Sequence, residues 1–230
     1  MLITFALDTA TPTPSLALVG DDGVVAELWL GRVPGGGRRV LEAAHHLLGA
    51  CGVVPGDFEQ IVVGVGPGGF TGIRIGIATA LGLGQALGIQ VHGASSLEAL
   101  ALGASVACRE GELIAPVIDA RRREVFAGAY APDADGGLRQ VIAPAAWDPA
   151  AFSLALGEGG PAVLAGDGAL LVPAGPTARM APDGTVQRVS AAQLVARVAQ
   201  VGPLPVLPSY LRLPDAEEKR LERLAAEAPA

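Results

Sequence analysis

The residues of this chain whose types and spacing suit chemistry cluster at chain reversals. The block Gly66-Pro67-Gly68-Gly69-Phe70-Thr71-Gly72-Ile73-Arg74 follows one apolar run and opens another. Its glycines permit a tight turn, and Thr71 is of a type that caps helices. A helix N-terminus with free N–H groups attracts phosphate or carboxylate. Gly66, Gly68, Gly69 and Thr71 therefore form a candidate anion site, although a turn needing glycine for steric reasons alone would look the same. Asp8, followed by Thr9, and Asp119, followed two residues later by Arg121, each end a further apolar run. Such carboxylates either face phosphate and Mg²⁺ or are ordinary turn aspartates. A phosphate-facing turn uses glycine two residues after the aspartate, where backbone N–H groups approach the anion; here Ala10 and Arg121 occupy those positions.

Other chemistries are excluded by counting. Lys219 is the sole lysine, so neither a P-loop nor a kinase strand lysine exists. His45 and His46 are adjacent, hence on different helix faces, and His92 is the only other histidine; no H-E-x-x-H pattern forms. Cys51 and Cys108 make neither a disulfide framework nor a metal cluster and read as small reduced hydrophobes. Arg121-Arg122-Arg123 is either a solvated hairpin turn or a contact for RNA phosphate or a partner carboxylate.

The elements that must position these residues fall into two similar series. In the first, strands are predicted at Leu2–Leu7, Leu16–Val19 and Val24–Leu30, with Asp21-Asp22-Gly23 as hairpin turn. Gly31–Gly37 reads as a loop, Arg38–Ala50 as a helix, Ile61–Val65 as a buried strand and Thr71–Leu87 as a helix. In the second, strands are predicted at Leu113–Ile118, Val125–Tyr130, Leu138–Ile142 and Ala162–Ala165, with helices at Pro149–Leu156 and from a Ser190 cap to Val201. Two β-β-β-α-β-α halves with mixed sheets form an α/β fold similar to the duplicated ribonuclease-H-like lobes of actin-like ATPases. The division expected is 1–105, 106–212 and a helical tail at 213–230.

The helix at 71–87 carries Gly72, Gly76, Ala80, Gly84 and Gly88 every four residues, beside Ile73, Ile77 and Leu81. A helix apolar on most sides must be covered on most sides. The helix at 38–50 of the same lobe, another subunit, or a membrane could provide that cover. Replacing Ile77 or Leu81 with a charged residue is expected to abolish partner binding and leave the fold intact. The whole chain has 230 residues, 50% of them apolar, with 32 glycines, 4% aromatics and a net charge of −7. This composition excludes a disordered chain and speaks against a free-standing nucleic-acid binder. The N-terminus lacks a basic region and meets Asp8 too early for a signal peptide, so a cytoplasmic protein is expected.

Together these residues resemble the TsaB (YeaZ) family of bacteria over nearly the whole length. The resemblance rests on Ile3–Thr11 with Ser15–Leu18, Gly66–Gly76, Ile118–Phe126, Gly166-Asp167-Gly168 and Pro208-Ser209-Tyr210-Leu211-Arg212. It implies an actin-like fold and a non-catalytic role. TsaB-like proteins pair with TsaD, which holds the metal and performs the transfer, and with TsaE, an ATPase. Together they form threonylcarbamoyladenosine on tRNA, which this subunit would meet only through the complex. The family's helix-bundle dimer fits the two helices of the first lobe, with Leu41, Ala44, His45 and Leu48 on one and Ile73, Gly76, Ile77, Ala80, Leu81 and Gly84 on the other. Without its partner the chain would form homodimers. It would carry no metal or cofactor of its own, with ATP bound weakly or only at the partner interface. Departures from the family are Gly69 for a usual Ser, Phe126 for a common Tyr, and Val33–Gly37 where the loop usually carries a His. The rival reading, a stand-alone actin-like ATPase or small-molecule kinase, requires Asp8 and Asp119 to hold Mg²⁺–ATP.

Overall fold

The computed structural model describes residues 2–31, 39–173 and 175–212. The expected tail helix at 213–230 and the loop Val33–Gly37 lie outside the described residues.

The first sheet has the order β3-β2-β1-β4-β5, built from β1 (Ile3–Asp8), β2 (Ser15–Gly20), β3 (Gly23–Trp29), β4 (Phe58–Gly64) and β5 (Gln90–Ala94). The β1–β2 and β2–β3 pairs are antiparallel, whereas β4 and β5 run parallel to β1. The second sheet repeats that order: β10-β9-β6-β7-β8, from β6 (Leu113–Arg121), β7 (Glu124–Pro132), β8 (Leu138–Trp147), β9 (Ala162–Ala165) and β10 (Ala178–Met180). The expected two-lobed α/β fold with mixed sheets is thus present.

Period-2 patterning places the strands between helices. Ile3, Phe5 and Leu7 of β1 face a core shared with α1 (Val40–Cys51) and α2 (Phe70–Leu87), whereas Ala6 faces the opposite core. On that opposite side lie α3 (Ser96–Ala104) and α5 (Ala191–Val201). Helix α3 packs on the second sheet, α5 packs on the first, and the two touch each other. Helix α4 (Pro149–Gly159) covers the outer face of the second sheet through Phe152 and Leu156. The point between 105 and 106 expected to divide the lobes falls in the short turn Ser105–Ala107, and one hydrophobic core spans it.

Strand β5 and helix α3 are absent from the sequence reading, which assigned no element between the helix ending at Leu87 and the strand beginning at Leu113. The end of α2 at Leu87 is as expected, with Gly88 closing it in the left-handed conformation at φ 70°. Helix α3 begins where Ser95 accepts a hydrogen bond from the Glu98 amide, a Ser-x-x-Glu spacing recognisable as a capping box. Strand β10 was also missed; it is only three residues long. The Ser190 cap is as expected, its hydroxyl accepting from the Gln193 amide.

Candidate functional site

Strand β1 delivers Asp8 to the end of the first sheet, but the side chain turns away from the cleft between the lobes. Asp8 is fully buried. Its Oδ2 accepts a short hydrogen bond from the Ser96 hydroxyl, and its Oδ1 accepts from the Ala10 amide at 2.9 Å. The Ser96 oxygen in turn accepts from the Gly66 amide at 3.2 Å. Burial, partly opposed by these two hydrogen bonds, pushes the Asp8 pKa up to about 6. Asp8 therefore fastens the 8–10 turn, the Gly66 loop and the start of α3 to one another. The rival reading, which requires Asp8 and Asp119 to hold Mg²⁺ together, would need Asp8 to leave this buried network.

Thr9 and the Gly68–Gly69 stretch do reach the cleft. The Thr9 hydroxyl donates to the Gly72 carbonyl at 2.7 Å, and the Gly69 amide donates to the Ala10 carbonyl at 2.7 Å. Gly69, not Thr71, is the N-cap of α2, and no side chain caps this end. Gly66 is buried behind the loop, and Thr71 lies outside the lining of the cleft.

The cleft has a volume of about 780 Å³. Its wall from the first lobe includes Thr9, Gly68, Gly69, Phe70 and Arg74; the second lobe contributes Asp119, Arg121, Arg122 and Phe126. Arg122 and Arg123 form the two-residue turn between β6 and β7, with Arg121 paired to Glu124. All three arginines are left-handed, at φ 65°, 53° and 65°. Such turns ordinarily use Asn-Gly, because left-handed backbone costs other residues about 1–2 kcal/mol each. Asp119 binds the turn from within: its carboxylate accepts from the Arg121 amide at 2.8 Å and from the Arg121 guanidinium at 2.9 Å.

The third wall was not foreseen as part of a site. Residues 203–212 return along β5, where Gly93 and Leu204 exchange backbone hydrogen bonds, and the Ser209 amide donates to the Val65 carbonyl. Tyr210 then stacks on Phe70 with ring centroids 5.0 Å apart. The Arg74 guanidinium lies 3.7 Å from the Phe70 ring centre, and its Nε donates to the Tyr210 hydroxyl at 2.9 Å. Arg212 crosses to the second lobe and pairs with Glu124 at 2.6 Å. The only signal in the sequence was the Pro208–Arg212 string itself, because its contacts span more than 80 residues.

The other candidate surface is the outer side of α1 and α2. The strip Gly72, Gly76, Ala80 and Gly84 turns inward, which corrects its assignment to a subunit interface. A Cβ at Gly72 would meet the Thr9 carbonyl at 2.0 Å, and one at Gly84 would meet the Val91 side chain at 2.4 Å. Ile73, Gly76, Ile77, Ala80 and Gly84 are all buried against the chain's own sheet, as is Ala44 on α1. A charge at Ile77 would therefore disrupt the core, contrary to expectation. Leu41, His45 and Leu81 are exposed and Leu48 is half-buried.

Comparison with known proteins gives these features a family. The family model of TsaD, tRNA N6-adenosine threonylcarbamoyltransferase, matches residues 37–201. The "tRNA threonylcarbamoyladenosine biosynthesis protein TsaB" of Bacillus subtilis is 39% identical over 137 residues, 60% of this chain and 58% of that protein. A Mycobacterium tuberculosis protein is 34% identical over 223 residues, 92% of each chain. The solved structure of YeaZ from Pseudomonas aeruginosa superposes with a TM-score of 0.75 at 29% identity, covering 92% of this chain and all of that one.

The chain belongs to the TsaB (YeaZ) family.

It spans a little over half the length of the B. subtilis and Escherichia coli TsaB proteins, 58% and 56%. The fold is the actin-like one. Component A of (R)-2-hydroxyglutaryl-CoA dehydratase from Acidaminococcus fermentans shares it at 10% identity and a TM-score of 0.50. Among the described residues of this TsaB-family chain, no three His, Cys, Asp or Glu side chains gather to hold a metal ion.

Proposed function

We propose that this chain is the non-catalytic partner of a TsaD-type threonylcarbamoyltransferase in tRNA threonylcarbamoyladenosine biosynthesis, acting in the cytoplasm. The observation that carries this reading is helix α2. It is apolar around most of its circumference, yet only five of its eighteen residues are buried in this chain. Its exposed side presents Leu81, with Leu41 and His45 exposed on α1, which covers the same face of the sheet. An apolar helical surface of this kind is stabilised by a second helical pair. A related subunit with the same fold can supply one in an isologous or pseudo-symmetric bundle. The names of the B. subtilis and E. coli relatives place the family in tRNA threonylcarbamoyladenosine biosynthesis, and the match to the TsaD model supports a partner of related fold. A TsaE-type ATPase completes the assembly, and tRNA is reached through it. Without TsaD, the same face pairs two copies of this chain.

Co-expression with a TsaD-type subunit tests the reading. The two proteins should co-elute on size exclusion, and Leu81→Arg should separate them while the circular dichroism and melting temperature of the isolated subunit stay unchanged. Co-elution that survives both Leu81→Arg and Leu41→Arg would remove this face from the interface. A stand-alone ATPase loses support from the burial of Asp8 against Ser96.

A further inference from the structure

The Pro208–Arg212 string has no part in that function, yet the fold gives it a built seat. We propose that residues 203–212 are a latch that holds the two lobes together across the mouth of the cleft, and that its release lets the second lobe swing about the junction of α3 and α5.

The strap is stiff and closely seated on the first lobe. Pro203, Pro205 and Pro208 fix the backbone φ at three positions, so a displacement at one end is not taken up as slack. The Gly93 amide donates to the Leu204 carbonyl at 3.0 Å, the Leu204 amide donates back at 2.8 Å, and the Ser209 amide reaches the Val65 carbonyl at 2.7 Å. The seat is bare backbone where the strap crosses it. A Cβ at Gly93 would stand 2.7 Å from the Pro205 carbonyl oxygen, and one at Gly66 would stand 3.1 Å from that of Ser209. Glycine in a strand often marks such a close approach of another backbone. The far end then leaves the seat. Tyr210 lies on Phe70, the first residue of α2, and accepts a hydrogen bond from Arg74. Two residues later Arg212 pairs with Glu124, the first residue of β7 in the other lobe.

The contacts that join the lobes differ between back and mouth. At the back, α3 packs on the second sheet and α5 on the first, and Glu98 of α3 pairs with Arg197 of α5. The hydrogen bond from Ser96 at the start of α3 to Asp8 of β1 lies on the same side and is fully buried. The mouth pair is more open to water on both partners. Its side chains are 18% and 39% exposed for Arg212 and Glu124, against 10% and 22% for Arg197 and Glu98. Phe70 and Tyr210 are exposed as well. Exposed ion pairs contribute little, because water and salt compete for them, whereas breaking a buried pair strands a charge. The least costly motion therefore opens the mouth and keeps the α3–α5 crossing as the hinge. Ser209, Tyr210 and Arg212 line the cleft on one side and Arg121 and Arg122, beside Glu124, line it on the other, so the latch controls entry to it.

Electron–electron double resonance on the full chain alone tests this. Spin labels are placed at Thr71→Cys in the first lobe and Leu170→Cys in the second, both exposed positions, with Cys51→Ala and Cys108→Ala to remove the native thiols. Labelled chain is diluted into an excess of unlabelled chain, so that distances within one molecule are read. The natural latch should give one narrow distance distribution. Arg212→Glu and Glu124→Arg each bring like charges together and should each add a second population at longer distance. The two combined restore an opposite pair and should restore the narrow distribution. Glu42→Arg, which breaks the Arg39–Glu42 pair within α1, should leave the distribution unchanged. A broad distribution in the natural sequence, no longer population in either single variant, or no restoration in the combined variant would each overturn the proposal. So would loss of the thermal unfolding transition in a single variant, since it would make the strap part of the fold's stability rather than a releasable contact. None of these outcomes bears on TsaD pairing, which is read separately by co-elution.

Discussion

Replacing Asp8 with asparagine isolates the electrostatics of the buried junction beneath the cleft. An exposed aspartate titrates near 3.8, but in the fold Asp8 is pushed up to about 6. The folded state therefore binds this proton more tightly than the unfolded state does. The contribution of Asp8 is fully present below about pH 4 and is lost as the pH rises to about 6. At about 1.4 kcal/mol per tenfold change in proton affinity, the swing is about 3 kcal/mol. Asp8→Asn removes the titration. Its amide oxygen still accepts from Ala10, but its NH₂ now faces Ser96, whose hydroxyl loses its acceptor. That mismatch costs about 1–3 kcal/mol at every pH. The assay is urea unfolding of both proteins from pH 4 to pH 8. The stability of the natural protein minus that of the variant should fall by about 3 kcal/mol across pH 4–6 and then level off. In thermal melts this is roughly 6–12 °C for a chain of this size. A difference curve flat between pH 4 and pH 7 would refute the reasoning. One rising with pH would mean that the hydrogen bonds from Ser96 and Ala10 outweigh burial.

Other expectations concern packing and ion pairs. Gly72→Ala places a methyl group against the Thr9 carbonyl, so α2 must shift; a loss of about 1–3 kcal/mol is expected in urea unfolding, and Gly82→Ala, facing open space, should show no such loss. Glu98→Ala strands the Arg197 guanidinium, buried between α3 and α5. This should cost about 3–5 kcal/mol, with part recovered by the added change Arg197→Leu. The hydrogen bond from Arg179 holds the Glu112 carboxyl down to about 2. Glu112 therefore stabilises the fold above about pH 4.5, and that stabilisation is lost as the pH falls towards 2. Glu112→Gln should flatten that acid limb in a melting-temperature profile.

Much of the fold was legible because local signals agree with it. Asp21-Asp22-Gly23 marks the β2–β3 hairpin, and the apolar run Ala162–Ala165 is β9 from end to end. The site was less legible, for a geometric reason. Alternation and spacing tell which residues end a strand, but not which way the last side chain turns. Asp8 and Asp119 occupy equivalent strand ends, yet one is locked to Ser96 and the other to Arg121. Ser96 lies 88 residues from Asp8 and nothing beside that aspartate implies it, whereas Arg121 is a near neighbour of Asp119 in the sequence. Similarly, the four-residue glycine strip correctly signals a close backbone approach, but not whose backbone. Thr9 of the same chain is the answer.

The packing of α5 on the first sheet also constrains how the chain can be made. The first sheet is covered on one side by α5, which begins at Ala191, and Trp29 of β3 donates its indole N–H to the Val189 carbonyl. The inner face of the sheet built from residues 3–94 therefore stays bare until α5, residues 191–201, has left the ribosome. Neither half can mature ahead of the other, so the two lobes should fold, melt and be degraded as one cooperative body.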